Sequence, residues 1–325
     1  MVPDASLIQR FRADLDRLIG REERLGIAVS GGPDSLALLL LAAVARPGLV
    51  EAATVDHGLR PASRAEAEDV AAVCQRLSVP HTILAIEWDV PPSSAIQEQA
   101  RDVRYGALAA WMRERSLDAL LTGHHLDDQA ETLVMRLNRG AGVRGLAGMR
   151  QLGPVPGRRE LKLIRPLLSW RRSELEAICG DAGLQPAADP SNEDSQFERV
   201  RIRTGLREAA WLDSQALARS ASNLAAADDA LEWAAASEWN RSVENRKGSI
   251  TYYPSTAPAE IRRRIVARAI NELATEGPYR LRGRELDRLI ADLESGASTT
   301  LRGVRCAGGS EWSFKPAPRR KPKKS

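Results

Sequence analysis

The chain has 325 residues, 43% of them hydrophobic, which suffices for a packed core, argues against global disorder and suits about two or three domains. No apolar run reaches the roughly 20 residues that span a bilayer, and the acid-bearing opening MVPDASLIQRFRADLDRLIG has neither a signal peptide's apolar stretch nor a transit peptide's lack of acids. The net charge is +4, and the three cysteines, Cys74, Cys179 and Cys306, lie far apart with no CxxC, which points to a reducing, cytoplasmic setting and against zinc ribbons or a disulfide framework.

The opening segment reads as an amphipathic helix. IAVS then runs as a short buried strand into the turn Ser30-Gly31-Gly32-Pro33-Asp34-Ser35, and LALLLLAAVA continues as a helix. At such a junction backbone N–H groups and the positive helix end converge on one spot, which suits an anion such as a phosphate. A plain strand-to-helix turn that uses glycine only to fold back is the other reading.

The alternation repeats. EAATVDHGLR is a strand ending near His57, and SRAEAEDVAAVCQRL a helix with Ser63 and Glu66 spaced as a capping box. HTILAIEW is a further strand, followed by a helix carrying Ile96, Ala100, Val103, Ala107 and Trp111. DALLTGHH is a strand and DDQAETLVMRLNRG a helix closed by Gly140. Strand and helix alternating in this way predict an α/β fold, a doubly wound parallel sheet with helices on both faces. Ligands of such sheets sit beyond the carboxyl ends of the strands, where SGGPDS, DHGLR and TGHHLDD all fall.

In TGHHLDDQAET, Asp128 and Glu131 are three apart and Asp127 and Glu131 four apart, so the carboxylates share one helical face. DxxE is itself a capping box, but that leaves Asp127, His124 and His125 without a role. The alternative is a carboxylate pocket for Mg²⁺, for an incoming ammonium group, or for both. HHLDD lacks the HExxH spacing of a zinc site.

Basic residues gather in three places: Arg158, Arg159, Lys162, Arg165, Arg171 and Arg172; the arginines of FERVRIRTGLR; and the ending PRRKPKKS. Together they favour a polyanionic partner over simple solvated faces. From Asp213 one long helix is expected, with Leu217, Ala221, Leu224, Leu231, Ala235 and Trp239 at helical spacing and Trp233 and Trp239 read as core or interface packing. A strand at ITYYP, helices near 259–274 and 284–294, and a glycine-turn hairpin LRGVRCAGGSEWSFKP follow. The predicted division is an α/β domain over 1–210 and a mainly helical domain over 211–325 that ends in the hairpin and basic tail.

SGGPDS lacks the ending of a Walker loop and is not GxGxxG. As SGGxDS it resembles the PP-loop of the N-type ATP pyrophosphatases, which implies ATP cleaved between its α and β phosphates. Ser30, Gly31, Gly32, Pro33, Asp34 and Ser35 would hold ATP. Asp34, itself an anion, would hold a Mg²⁺ that bridges the phosphates, with Asp127 and Asp128 as further candidate ligands. The succession SGGPDS, VDHGLRPAS, QEQARDVRY, TGHHLDDQAETLVMRLNRGAGVRGLAGM, IRPLL and DPSNEDSQFERVRIR, over roughly residues 25–205, is similar to the tRNA(Ile)-lysidine synthase family. One departure is Val200, where that family usually has Asn.

The resemblance implies a ligase that adenylates the wobble cytidine of a tRNA(Ile) with anticodon CAU. It then joins free lysine to carbon 2 of that base, releasing AMP. It makes Asp34, Asp128 and Glu131 catalytic, with Asp128 and Glu131 holding lysine. His57 would lie by the adenine or the cytidine, or serve structure alone. Arg139, Arg144, Arg199, Arg201 and Arg203 would contact tRNA. Family members often dimerise, so a homodimer is a further expectation. A PP-loop tRNA thiolase is the main rival, but such enzymes usually need paired cysteines. A small-molecule amidating synthetase would leave the arginines without a task, and a non-catalytic nucleotide or RNA binder would not need Asp34, Asp128 and Glu131.

Overall fold

A computed structural model describes residues 2–58, 63–88, 96–187, 196–246, 248–254, 256–274, 281 and 283–318. Leu59–Ala62 of VDHGLRPAS, Asp189–Ser195 of the DPSNEDSQ motif and the basic ending from Arg319 on lie outside the described residues. The chain forms two compact units, Met1–Ala225 and Ala226–Ser325. The division falls within a single long helix, fifteen residues beyond the predicted domain boundary at 210.

In the first unit the elements are α1 (Ala5–Asp16), β1 (Leu25–Ala28), α2 (Pro33–Ala45), β2 (Val50–Asp56), α3 (Ser63–Arg76), β3 (His81–Ala85), α4 (Ile96–Glu114), β4 (Ala119–Leu121) and α5 (Leu126–Asn138). They continue as α6 (Val143–Leu146), β5 (Leu152–Val155), β6 (Arg158–Ile164), α7 (Arg172–Asp181) and α8 (Glu198–Glu208). The sheet has the order β3-β2-β1-β4-β6-β5. Every pairing is parallel except that of the edge strand β5 with β6. The predicted parallel sheet is present, and the β5–β6 hairpin is an addition to it. Its strands carry part of the basic stretch from Arg158, which had been read only as a charged patch.

β1 and β4 are neighbours although three helices and two strands separate them in the chain. The strand order reverses between them, the point beyond whose strand ends ligands of such sheets bind. α2 is buried almost throughout, from Ser35 to Ala42, and packs between α1 and α7. That burial explains why its sequence is leucine-rich all round instead of amphipathic. Gly26 in β1 admits no side chain, because a Cβ there would lie 2.7 Å from the ring of Trp111 on α4.

α9 (Ser214–Ser242) begins at the Asp213 cap, whose carboxylate accepts from the backbone N–H groups of Gln215 and Ala216 at 2.9 and 3.2 Å. The second unit holds the rest of α9, α10 (Ala259–Leu273), α11 (Gly283–Glu294) and the strands β7 (Val243–Arg246), β8 (Ser249–Tyr252), β9 (Ser298–Leu301), β10 (Val304–Ala307) and β11 (Trp312–Pro316). The expected helices and hairpin are present, but the strands join in one antiparallel sheet of order β7-β8-β11-β10-β9. β9 and β10 meet through Arg302 and Gly303, both with positive φ, as a two-residue hairpin turn requires. Trp239 is buried in this unit's core with Tyr252, Trp312 and Phe314, whereas Trp233 is 75% exposed. Of the two tryptophans read as packing residues, only Trp239 packs in the core.

Candidate active site

The site begins where β1 leaves the sheet. Gly31 adopts a positive φ of 84°, which turns the chain into α2. The Ser35 hydroxyl donates to the Gly32 carbonyl at 2.9 Å, accepts the Ser30 N–H at 3.1 Å and lies 3.2 Å from the Ser30 hydroxyl. The loop is thus braced from within. The N–H groups of Asp34 and Ser35, in the first turn of α2, have no intrahelical acceptor and remain as donors at the positive helix end.

β4 brings the second motif to this turn. Gly123 touches it so closely that a Cβ would lie 2.9 Å from the carbonyl carbon and oxygen of Asp34. The next residues therefore stand beside the PP-loop. α5 starts with His125 as its N-cap: the backbone N–H of His125 donates to Asp128 Oδ2 at 3.0 Å in a capping box. The cap is thus formed by His125 with Asp128, and not by Asp128 with Glu131. Glu131 lies one turn further on, 3% exposed.

The His125 ring is buried among three carboxylates. Its Nε2 is 3.5 Å from Asp34 Oδ2 and 3.7 Å from Asp128 Oδ2, and its Nδ1 is 3.5 Å from Asp127 Oδ2. Burial opposes a charge on this ring, but Asp127, Asp34 and Asp128 outweigh it and push His125 up to about 10. The charged ring donates from both nitrogens; only a neutral ring can accept the Asp127 N–H at Nδ1. His124 behaves oppositely: burial, aided by Arg165, Arg199 and Arg101 and opposed by Asp128, pushes it down to about 3. Burial works against ionised Asp128 too, yet His125 and Arg199 hold its carboxyl below the usual range. Asp127 is also held low, by its hydrogen bond to His125 first and by the Arg172 N–H, which donates to its Oδ2 at 2.9 Å.

Two arginines of α8 reach this cluster. Arg199 donates from Nη2 to Asp128 Oδ1 at 2.5 Å and from Nε to Glu131 Oε2 at 2.6 Å. Arg203 donates from Nε to Glu131 Oε1 at 2.6 Å and from Nη2 to Oε2 at 3.3 Å. These residues were expected on the tRNA side, and the structure places both on the carboxylates. Arg201 is exposed on α8 and donates to the Gln196 carbonyl at 2.9 Å. Val200, the departure from the family pattern, is half-buried.

The glycine-rich stretch after α5 folds back onto that helix. Gln129 donates to the Met149 carbonyl at 2.8 Å and accepts the Met149 N–H at 2.7 Å, while Arg136 donates to the carbonyls of Gly145 and Gly148. Gly148 has positive φ, and a Cβ there would meet Gln129 at 2.7 Å. Arg139, paired with Glu198, and Arg144 are exposed along this stretch.

His57 lies at the end of β2, half-buried, and its carbonyl accepts from the Trp88 indole at 2.7 Å. Burial and the charge of Arg104 lower its pKa, so it is neutral near pH 7. Arg104 belongs to a basic group of which sequence reasoning singled out Arg165 but missed Arg101 and Arg104. Arg101 and Arg104 flank Tyr105 with guanidinium carbons 5.0 and 5.3 Å from its ring centroid, and Arg165 is buried nearby. Desolvation lowers both Arg104 and Arg165. No carboxylate lies within ion-pair distance of these three among the described residues, which leaves their charge for an anion. The available signal was Arg101 and Arg104 three apart in QEQARDVRY, on one helical face.

The sequence profile of the PP-loop domain matches residues 5–210. The chain is 48% identical to a tRNA(Ile)-lysidine synthase of Novosphingobium aromaticivorans, over 95% of this chain and 93% of that protein. It is 42% identical to the tRNA(Ile)-lysidine synthase of Zymomonas mobilis, over 92% and 90% of the respective lengths. Among solved structures it is similar to the U34-tRNA thiolase NcsA from Methanococcus maripaludis, with a TM-score of 0.56 and 18% identity over 68% of this chain and 80% of that one, a likeness of fold alone. By its PP-loop, its carboxylate cluster and its relatedness over nearly its whole length, the chain belongs to the tRNA(Ile)-lysidine synthase family.

Proposed function

We propose that the protein uses ATP to join lysine to carbon 2 of the wobble cytidine in a tRNA(Ile) with anticodon CAU. In the first step the 2-oxo oxygen of the base attacks the α-phosphate, giving an adenylated cytidine and pyrophosphate. In the second the ε-amine of lysine attacks carbon 2 and AMP departs. The product base pairs with A instead of G, so the tRNA reads AUA and is charged with isoleucine. ATP, free lysine and tRNA meet in the cytoplasm.

One observation carries this reading: a single buried ring, His125, lies within 3.7 Å of both Asp34 at the PP-loop and Asp128 in the carboxylate cluster. Phosphate donors and ammonium acceptors therefore share one crevice. The PP-loop N–H groups receive the departing pyrophosphate, and Asp128 and Glu131 attract the lysine ammonium. The exposed Arg139, Arg144 and Arg201 suit tRNA phosphates. His125 holds Asp34, Asp127 and Asp128 together against their mutual repulsion.

Asp34 fits a Mg²⁺ ion, since its Oδ1 is buried and has no hydrogen-bond partner among the described residues. A carboxylate oxygen is the hard donor Mg²⁺ prefers, and substrate phosphates complete such sites. Bound there, the ion would supply charge neutralisation to the phosphates. Asp127 remains a candidate beside it, whereas both oxygens of Asp128 already accept hydrogen bonds from Arg199 and the His125 backbone.

Sulfur delivery, the rival chemistry, needs accessible thiols that ionise. Burial pushes Cys74 up to about 12, Cys179 to about 11 and Cys306 to about 12. The test mixes protein, ATP, Mg²⁺, labelled lysine and a CAU-anticodon tRNA(Ile) transcript. Label on the tRNA with AMP as co-product is expected. ATP turnover that leaves the tRNA unlabelled would overturn the reading.

A further inference from the structure

The carboxylates that attract lysine are occupied by the protein's own cations. Both oxygens of Glu131 accept from guanidinium groups, and Asp128 Oδ1 accepts from Arg199. The two arginines are not equivalent. Arg199 bridges both carboxylates, whereas Arg203 binds Glu131 alone. Three of the four carboxylate oxygens of Asp128 and Glu131 accept from these guanidinium groups and the fourth, Asp128 Oδ2, accepts the His125 backbone N–H, so a lysine ammonium gains a carboxylate oxygen here only if one guanidinium leaves. Removal of Arg203 frees Glu131 Oε1 and leaves Arg199 in place.

The helix that carries Arg203 is suited to release it. α8 packs on α5 but has no buried residue of its own. Ion pairs hold it there: those of Arg199 and Arg203, together with Glu198 to Arg139. An element held by charge without a buried apolar face opens at low cost, and a polyanion competes directly for its arginines.

We propose that Arg203 is a removable counter-charge that closes Glu131 to lysine until a phosphate of the bound tRNA draws its guanidinium away, so that tRNA enters before the amino acid. The idea rests on the lysine-transfer reading above. Because binding coupling is reciprocal, lysine must also tighten tRNA binding by the same factor. The order has a chemical use: amine is admitted only when a cytidine is present to receive it.

The test is equilibrium dialysis of labelled lysine against the full-length protein without ATP, with and without unmodified CAU-anticodon tRNA(Ile). For the wild type, lysine affinity should rise about tenfold when tRNA is present, within the usual range of coupling between sites. Arg203→Gln should raise affinity in the absence of tRNA by a similar factor and shrink the gain from tRNA. Arg203→Lys, which can still pair with Glu131, should restore dependence on tRNA. Arg113→Gln, which removes an exposed arginine of α4 paired with Glu160, should leave tRNA-free lysine binding unchanged.

Equal wild-type affinity with and without tRNA overturns the proposal. So does an Arg203→Gln protein, folded by circular dichroism, with no gain, or an equal gain in Arg113→Gln. The wild-type comparison decides the matter even if the variant fails to fold. Lysidine formation by the same preparation separates the two readings: lysine transfer with tRNA-independent lysine binding removes only the counter-charge role, whereas absence of transfer removes the reading beneath it.

Discussion

Asp34 illustrates how a side chain's role follows from what it lacks. Its Oδ2 faces His125 at 3.5 Å, while its buried Oδ1 has no hydrogen-bond partner among the described residues. A buried polar atom left so costs free energy, and in a native site it points to an ion or ligand that it meets. Asp34→Ala should therefore cut pyrophosphate release by at least about 100-fold, the scale of a lost charge-stabilising group, while circular dichroism stays unchanged. Near-normal release would refute the metal role. His81 permits a pH prediction remote from this chemistry. Its Nε2 is 2.9 Å from the Thr54 hydroxyl, and burial lowers its pKa below the ordinary 6.5. The folded protein thus keeps His81 neutral where the unfolded chain takes up a proton. Stability should fall as pH drops through about 6.5 and be unaffected by this residue above it. His81→Gln should lose less stability than the parent between pH values of about 7.5 and 5.5, measured by urea midpoints; an identical loss would count against the assignment.

Helices here do different work according to what holds them. α2 is fixed by apolar burial on all sides, α8 by ion pairs with α5, and α10 by a buried charge. Arg264 on α10, with its side chain 4% exposed, donates to Asp228 at 2.7 Å and to Glu260 at 3.0 Å and also pairs with Glu232. Glu232 and Glu260 reach water, but Asp228 does not. Arg264→Met removes the buried cation that pairs with Asp228 at 2.7 Å and should destabilise the protein by about 3–5 kcal/mol in thermal or urea unfolding. Adding Asp228→Leu should recover much of that loss, because both charges then disappear together. A single variant as stable as the parent would show that the network is not a stabilising contact.

The whole molecule combines a unit with the nucleotide crevice and a second unit with its own core. An anticodon CAU is shared with tRNA(Met), so selection of the isoleucine tRNA requires contacts beyond the anticodon. The reading assigns these to the second unit. A chain ending at Ala225, the end of the first unit, should keep ATP affinity and lose preference for tRNA(Ile) over tRNA(Met) in filter binding. Equal loss of both would show that the second unit supports the crevice instead. Most of this molecule's outline was legible beforehand. The alternation of strands and helices, the long helix from Asp213 and the helices near 259–274 and 284–294 are local patterns, and local patterns survive folding. The β5–β6 hairpin was hidden in RRELKLI, where charged residues on an edge strand mask the apolar alternation.

What the amino-acid order determined alone was the parallel sheet, the glycine turn and the gathering of motifs at strand ends, because period and turn chemistry act over a few residues. Only the tertiary structure decided which charges meet. Arg199 and Asp128 are 71 positions apart, and Asp34 meets His125 because β1 and β4 are neighbours in the sheet. The one-dimensional pattern marked arginines for phosphate and carboxylates for lysine. Packing α8 on α5 brought the two sets onto each other, since a buried carboxylate takes whatever cation the fold puts within reach.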